Sequence, residues 1–212
     1  MQIIDIKNWK RRDQYQFFKS YDLPFFNICT TIDVSPILRY SKEKKISFFL
    51  LNMHVFHTAL LSVNEFLYRI INDDVVKFEH LDIGCTILRD DESFFFAHLK
   101  YYKELNKFIL ESKQTIEEQK NQTQFDFNNQ RSDLIYYSTL PWFTFTSIQH
   151  AQNNEFKSTV PKVVFGKYTK NIEGEWQIPI SVEVHHAIAD GLHVGKLIEA
   201  YERGIESFTQ YL

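Results

Sequence analysis

Three histidines and an aspartate crowd into one short stretch near the end of the chain, VEVHHAIADGLHV (182–194). Imidazole is the side chain whose ordinary proton affinity lies closest to neutral pH, so such a stretch can carry a proton transfer. Alternation along an extended strand puts Ile180, Val182, Val184 and His186 on one face, and Ser181, Glu183 and His185 on the other. The apolar set marks the buried side. His186 is therefore expected to point inward, and His185 to face a more polar side. Burial disfavours the imidazolium form, so an inward ring stays neutral and its free nitrogen can take a proton from a hydroxyl or thiol. Asp190-Gly191 then closes the strand and opens a helix, with aspartate as the N-cap and glycine permitting a tight turn. Two other readings fit the same residues. One is a hydrogen-bonded core histidine beside a capping aspartate. The other is a metal site of His186, Asp190 and His193, although the strand–turn–helix bend gives these three no fixed common face.

The rest of the chain has to hold that corner. Its 212 residues are expected to form a single domain, 1–212, with a core of ordinary size. Hydrophobic residues make up 44% and charged residues 24%, a globular balance, and 20 Phe and 11 Tyr supply large flat side chains for a core, a pocket or a subunit interface. The net charge of −3, without long basic runs, argues against nucleic acid or an anionic membrane as partner. Two isolated cysteines, Cys29 and Cys85, and a start without signal-peptide character lead to the expectation of a soluble, cytoplasmic protein.

Periodicity predicts a short helix over 11–20, a strand over 24–34 and a buried helix over 47–63. FLYRI and VVKFEHLDI flank a turn at Asn72-Asp73-Asp74, and a hairpin runs through Arg89-Asp90-Asp91-Glu92. A polar helix is expected from Tyr102 to about Gln122, followed by a loop over 121–132. Two short strands broken at Pro141 come next, then a strand pair around 171–174. The last helix follows Asp190, with Leu197, Ile198, Tyr201 and Ile205 on one face. Strands and helices mix without regular βαβ alternation, so the fold class is α+β: a two-layer sandwich of a mixed sheet with helices on one side.

HHAIADGLH resembles the active-site signature of the trimeric chloramphenicol acetyltransferases, His-His-x-x-x-Asp-Gly-aromatic-His. Further blocks resemble that family in the expected order: KNWKRRDQYQFF, PFFNICTTIDVSPI, SFFLLNMHVFHTALLSVNEFLYRI and YYSTLPWFTFTSI. The bare His-His-x-x-x-Asp-Gly pattern is shared with lipoyl-dependent acyltransferase cores and peptide-synthetase condensation domains, and the other blocks narrow it. The resemblance implies an enzyme that moves an acetyl group from acetyl-CoA, a co-substrate, to a hydroxyl of chloramphenicol, inactivating the antibiotic. It implies no permanently bound cofactor and no metal. His186 would be the general base, Ser138 the hydrogen-bond donor to the oxyanion, and Asp190 would pair with an arginine, Arg11 or its neighbour Arg12. Phe18, Phe25, Phe94, Tyr136, Val164 and Lys167 would contact substrates, Lys167 on the coenzyme side. A homotrimer with sites at subunit interfaces is also implied.

Several positions depart from the family pattern. Val164 stands where a threonine is common, Lys162 where an apolar residue is usual, Tyr136 in place of asparagine, Ala189 in place of cysteine, and Leu192 in place of an aromatic. These departures motivate a second expectation, the same acetyl transfer to a different small alcohol or amine. A third, from another class, is a binder that sequesters the drug without turning it over.

Overall fold

The computed structural model describes residues 1–120, 131–151 and 158–209. The first half contains β1 (Gln2–Ile3), α1 (Arg12–Phe18), β2 (Phe25–Asp33), α2 (Ser35–Glu43), α3 (Phe48–Leu61), β3 (Tyr68–Ile71), β4 (Asp74–Lys77), β5 (Asp82–Leu88) and β6 (Phe94–Leu99). Then come α4 (Leu105–Lys120), β7 (Leu134–Thr139), β8 (Lys162–Phe165), β9 (Thr169–Lys170), β10 (Trp176–His185) and α5 (Gly191–Glu206). Seven strands form one mixed sheet in the order β2-β10-β8-β7-β5-β6, with β9 on β10. Strands β5, β7 and β8 run parallel and the other pairs antiparallel. This is the expected α+β architecture.

Register sorts the side chains. Ile83, Cys85, Tyr137, Val163, Phe165, Ile180 and Val182 share the inner face and pack with α3 and α5 into the main core. Helix α3 is buried along most of its length because it is apolar nearly all round, and Ser47 starts it by accepting from the Leu50 N–H. Along α5, Leu197, Tyr201 and Ile205 are buried on one side, as the spacing predicts. The opposite, outer face of the sheet carries Thr86, Tyr136, Ser138, Lys162, Val164, Ser181 and Glu183.

A second, three-stranded sheet, β1-β4-β3, packs with α1 around Tyr15, Val75 and Ala187, beside the histidine corner. Its hairpin turns at Asn72 and Asp73, whose φ values of 51° and 66° lie in the left-handed region that Asn and Asp tolerate better than most residues. The Arg89–Glu92 turn joins β5 to β6 as expected, with the Arg89 N–H donating to the Ser93 carbonyl at 2.7 Å.

Four details differ from the sequence expectation. Helix α2 was not anticipated; Pro36 in its first turn and the Asp33 carboxylate accepting from the Ser35 N–H set its start. VVKFEHLDI does not form one strand but divides between β4 and β5, in different sheets. The second strand expected after Pro141 does not form over residues 142–148. Residues 141–150 lie irregularly over the outer face, held by Asn27 Nδ2 donating to the Ile148 carbonyl at 2.7 Å, and no neighbouring strand offers them a ladder. The polar helix starts at Leu105 rather than Tyr102, and its predicted end near Gln122, with most of the loop expected over 121–132, lies outside the described residues.

Candidate active site

The ladder of β10 ends at His185. The His186 N–H donates to the Pro24 carbonyl at 2.7 Å, and its ring stacks on Phe18 with centroids 4.1 Å apart and planes 5° from parallel. Phe26, on the inner face, contacts the same ring at 4.6 Å. The face assigned by alternation is therefore the observed one. The order of burial is not: His185 is 6% exposed and His186 half-buried. The outer face is also covered at this end of the strand, where Phe25 meets His185 edge-on at 5.1 Å, and His185 Nδ1 accepts from the Ala187 N–H. Nδ1 of His186 is buried without a hydrogen-bond partner among the described residues. For this ring to act as a base through Nε2, the proton must sit on Nδ1.

Arg11 fixes the loop from below. Its Nη1 donates to Asp190 Oδ2 at 2.8 Å and its Nη2 to the His186 carbonyl at 3.2 Å, while Arg12 pairs with Asp13 instead. The guanidinium thus ties the backbone of the histidine to the N-cap of α5. Burial works to raise the Asp190 pKa, but the Arg11 hydrogen bond and the His193 and Arg11 charges outweigh it, and the carboxyl is held below its ordinary range. The other Asp190 oxygen caps α5 by accepting from the Leu192 N–H, and His193 Nδ1 accepts from the Asp190 N–H in return. His193 Nε2 then reaches Glu65 at 3.3 Å. Asp190 and His193 serve this cap, and among the described residues no three His, Cys, Asp or Glu side chains converge as metal ligands.

Ser138 lies elsewhere. Its Oγ is 3.0 Å from Thr86 Oγ1 on the outer face, a partner that nothing in the sequence signals. In register, Ser138 sits beside Val164, and Val164 beside Ser181, five residues before His186. Two strand spacings and five strand residues amount to about 19 Å, with the two side chains on opposite faces. Within one chain they do not meet. Tyr136, with Lys162 beside it, shares the face of Ser138, and its ring fills the space over Gly84, where an added Cβ would lie 2.9 Å from it. Lys162 Nζ reaches Glu183 at 2.8 Å and lies over the Phe25 ring. Phe94 is 47% exposed on β6, two strands out from β7.

Lys167 belongs to a third place, the wall of a 320 Å³ cavity at the start of α3, shared with Phe48, Phe49, Asn52, Thr139, Phe165 and Tyr168. Only Lys167 of these was singled out in the sequence; the others come from separate elements and look like core residues in one dimension. The structure thus unites Arg11, Phe18, His186 and Asp190 in one corner, and Tyr136, Ser138 and Val164 on one wall. One further imidazole is architectural. His57 is enclosed between the Tyr137 hydroxyl and the Leu81 carbonyl, and burial lowers its pKa to about 4.

A sheet backed by helices, with a histidine at the end of an interior strand, is a fold shared with solved acetyltransferases. The chain superimposes on a probable dihydrolipoamide acetyltransferase from Listeria monocytogenes with a TM-score of 0.68 at 15% identity, covering 92% of this chain and 89% of the other, a likeness of fold. A solved chloramphenicol acetyltransferase is nearer, with a TM-score of 0.89, 27% identity, and coverage of 96% of this chain and 99% of that one. In sequence, chloramphenicol acetyltransferase 3 of Escherichia coli is 26% identical over 199 residues, 92% of each chain. Residues 1–202 match the chloramphenicol acetyltransferase family, and the chain belongs to it.

Proposed function

We propose that the chain, working as one domain over 1–212, transfers the acetyl group of acetyl-CoA to a hydroxyl of chloramphenicol without a permanently bound cofactor. The observation that carries this reading is the corner itself. The His186 ring is clamped between Phe18 and Phe26, and its backbone is tied by Arg11 to Asp190. The mechanism needs a neutral base, an oxyanion donor and two substrates at attack distance. His186 Nε2 takes the proton of the acceptor hydroxyl as its oxygen bonds to the thioester carbonyl carbon. The Ser138 hydroxyl donates to the oxyanion that forms. Collapse of the intermediate breaks the carbon–sulfur bond, and the departing thiolate receives the proton from the imidazolium. Ester, free coenzyme A thiol and neutral His186 result.

The distance of about 19 Å between Ser138 and His186 within one chain supports a site shared between copies. A contact between the corner of one copy and the wall of the next, repeated head to tail, makes a ring where the rotation closes. The homotrimer of the family reading is such a ring. Leu88 and Phe96, each 51% exposed, and Phe94 stand on the outer face with Ser138 and are suited to be covered by a neighbour. Two unpaired cysteines, and the absence of a helix among the described residues long and apolar enough to cross a membrane, accord with work in the cytoplasm.

Mixing inactive subunits tests the shared site. Trimers co-assembled from His186→Ala and Ser138→Ala chains contain some junctions with both native residues. About a quarter of wild-type thiol release from acetyl-CoA with chloramphenicol is expected to return under random mixing. No recovery from well-mixed trimers rules out a shared site, and no turnover of chloramphenicol by the wild type removes the drug assignment.

One observation favours a second reading for the acceptor. The Lys162–Glu183 ion pair and Tyr136 make the face around Ser138 more polar than a purely apolar drug wall, which suits a more polar alcohol. Relative kcat/KM for chloramphenicol and polar alcohols separates the two readings.

A further inference from the structure

Glu65 stands far from the corner in sequence, on the short turn Asn64–Leu67 between α3 and β3. Its carboxylate nevertheless reaches it. Oε1 lies 3.3 Å from His193 Nε2, and among the described residues His193 is its only salt-bridge partner. His193 is the third residue of α5 and is buried, with its other ring nitrogen at the N-cap. Nδ1 is 3.1 Å from the Asp190 backbone nitrogen and 2.9 Å from Asp190 Oδ1. It cannot serve both, because the N–H needs an acceptor and the carboxylate needs a donor. With the ring proton on Nε2, Nδ1 accepts from the Asp190 N–H, and Oδ1 is left to accept from the Leu192 N–H at 3.1 Å. With the proton on Nδ1, the ring bonds Oδ1 instead. The Asp190 N–H then loses its partner, and the carboxylate is drawn away from the start of α5. The tautomer of one buried imidazole thus chooses between two settings of Asp190. A carboxylate facing Nε2 favours the proton on that nitrogen.

We propose that Glu65 is a positioning residue for the catalytic corner: it holds His193 as the Nε2–H tautomer, which keeps the cap of α5 closed and leaves the Asp190 carboxylate on Arg11. The consequence travels through two more side chains. Asp190 Oδ2 accepts from Arg11 Nη1, and Arg11 Nη2 donates to the His186 carbonyl. A shift of Asp190 therefore moves the backbone that carries the reacting imidazole. Glu65 acts through His193 and not on the reacting atoms, so its effect belongs to turnover rather than to substrate affinity. This inference rests on the reading of His186 as the general base.

Nitrogen NMR of histidine-labelled protein reads the tautomer directly, with the His193 signals assigned by their loss in His193→Gln. The wild type is expected to show a protonated Nε2 and a bare Nδ1. Glu65→Gln, whose amide carbonyl still accepts, should keep that pattern, and Glu65→Ala should move both signals toward the average of the two tautomers. A wild-type proton on Nδ1 overturns the proposal. In turnover of acetyl-CoA with chloramphenicol, Glu65→Ala should lower kcat about tenfold, with KM for both substrates within about twofold, and Glu65→Gln should restore it. An unchanged kcat, or a change in KM alone, overturns it as well. His193→Gln supplies a side chain whose carbonyl accepts from the Asp190 N–H with no tautomer to select, so Glu65→Ala should have no further effect in that background. An equal loss there would make Glu65 plain scaffolding and defeat the proposal. Glu65→Leu, closer in volume, stands in should the alanine chain not fold. Exchange of the His186 amide proton, which bonds to the Pro24 carbonyl, needs no turnover: it should quicken about tenfold in Glu65→Ala and hold steady in Glu65→Gln. If the wild type fails to acetylate chloramphenicol, or His186→Ala stays active, the functional reading falls. A tautomer and an exchange rate that both ignore Glu65 sink the positioning role whatever the chemistry.

Discussion

The two faces of the main sheet are built on the same alternating backbone and come to opposite ends. On the inner face, Tyr137, Val163, Phe165 and Val182 are each 2% exposed or less beneath the helices. On the outer face, their immediate neighbours Ser138, Lys162, Val164 and Glu183 form a hydroxyl, an ion pair and one apolar contact, with exposed aromatics beyond them. Along β7, β8 and β10 the inner face is occupied by this chain's own core, and the one group it offers to chemistry, His186, stands just past the end of β10. The outer face contributes little to that core and so is free to carry reactive and recognition groups. Alternation keeps the two roles apart at adjacent residues. Tyr137 and Ser138 illustrate this: one is locked against His57 and the other presents its oxygen.

The sharpest way to break this contrast is at the residue where both faces run out. His186→Ala is expected to lower kcat for thiol release by about 10⁴-fold, with the assembly intact by size-exclusion chromatography, because a general base contributes up to about that factor. Activity near wild type would falsify the catalytic assignment. Next comes the core face. Phe165→Ala should cost about 3–5 kcal/mol in chemical denaturation, the usual penalty for emptying a buried aromatic site. Phe96→Ala, on the outer face, should leave subunit stability within about 0.5 kcal/mol and act on assembly instead. Similar denaturation midpoints for the two variants would erase the distinction between the faces.

A pH series sharpens the comparison further. His57 on the inner side is fully buried, and burial depresses its pKa to about 4 in the folded state, against an ordinary 6.5. The unfolded chain therefore binds more protons between those values, and stability falls as pH drops from about 6.5 toward about 4, by up to about 3 kcal/mol. His57→Gln should flatten that slope, read from denaturation midpoints across the range. A smaller loss than at the core is expected at the corner. Asp190→Asn breaks the Arg11 ion pair but keeps a capable N-cap, and with the carboxylate side chain 34% exposed the cost is about 1 kcal/mol. Turnover should fall by more than stability alone explains, because the backbone of His186 shares the same guanidinium.

Much of this was legible in one dimension. Strand alternation assigned His186 to the inner face, and the Asp190-Gly191 step marked the start of α5, because both are local rules of backbone geometry and capping. The family blocks narrowed the partner of Asp190 to Arg11 or Arg12, and only the packing of α1 against the corner chose Arg11. The burial of His185 was not legible, since Phe25 reaches it from another strand. Nor was the irregular path after Pro141, whose missing ladder is a matter of neighbours rather than of residue preference.

The sequence alone determined most of the long helices and strands, the face each strand residue takes, and the kinds of chemistry the chain can attempt, because those depend on residues a few positions apart. Tertiary structure decided which groups meet: Arg11 with Asp190, Ser138 with Thr86, and Asn52 with Tyr201 at the edge of a cavity. It also kept Ser138 and His186 apart. That distance is set by the lateral order of the strands, and no local pattern of residues encodes it.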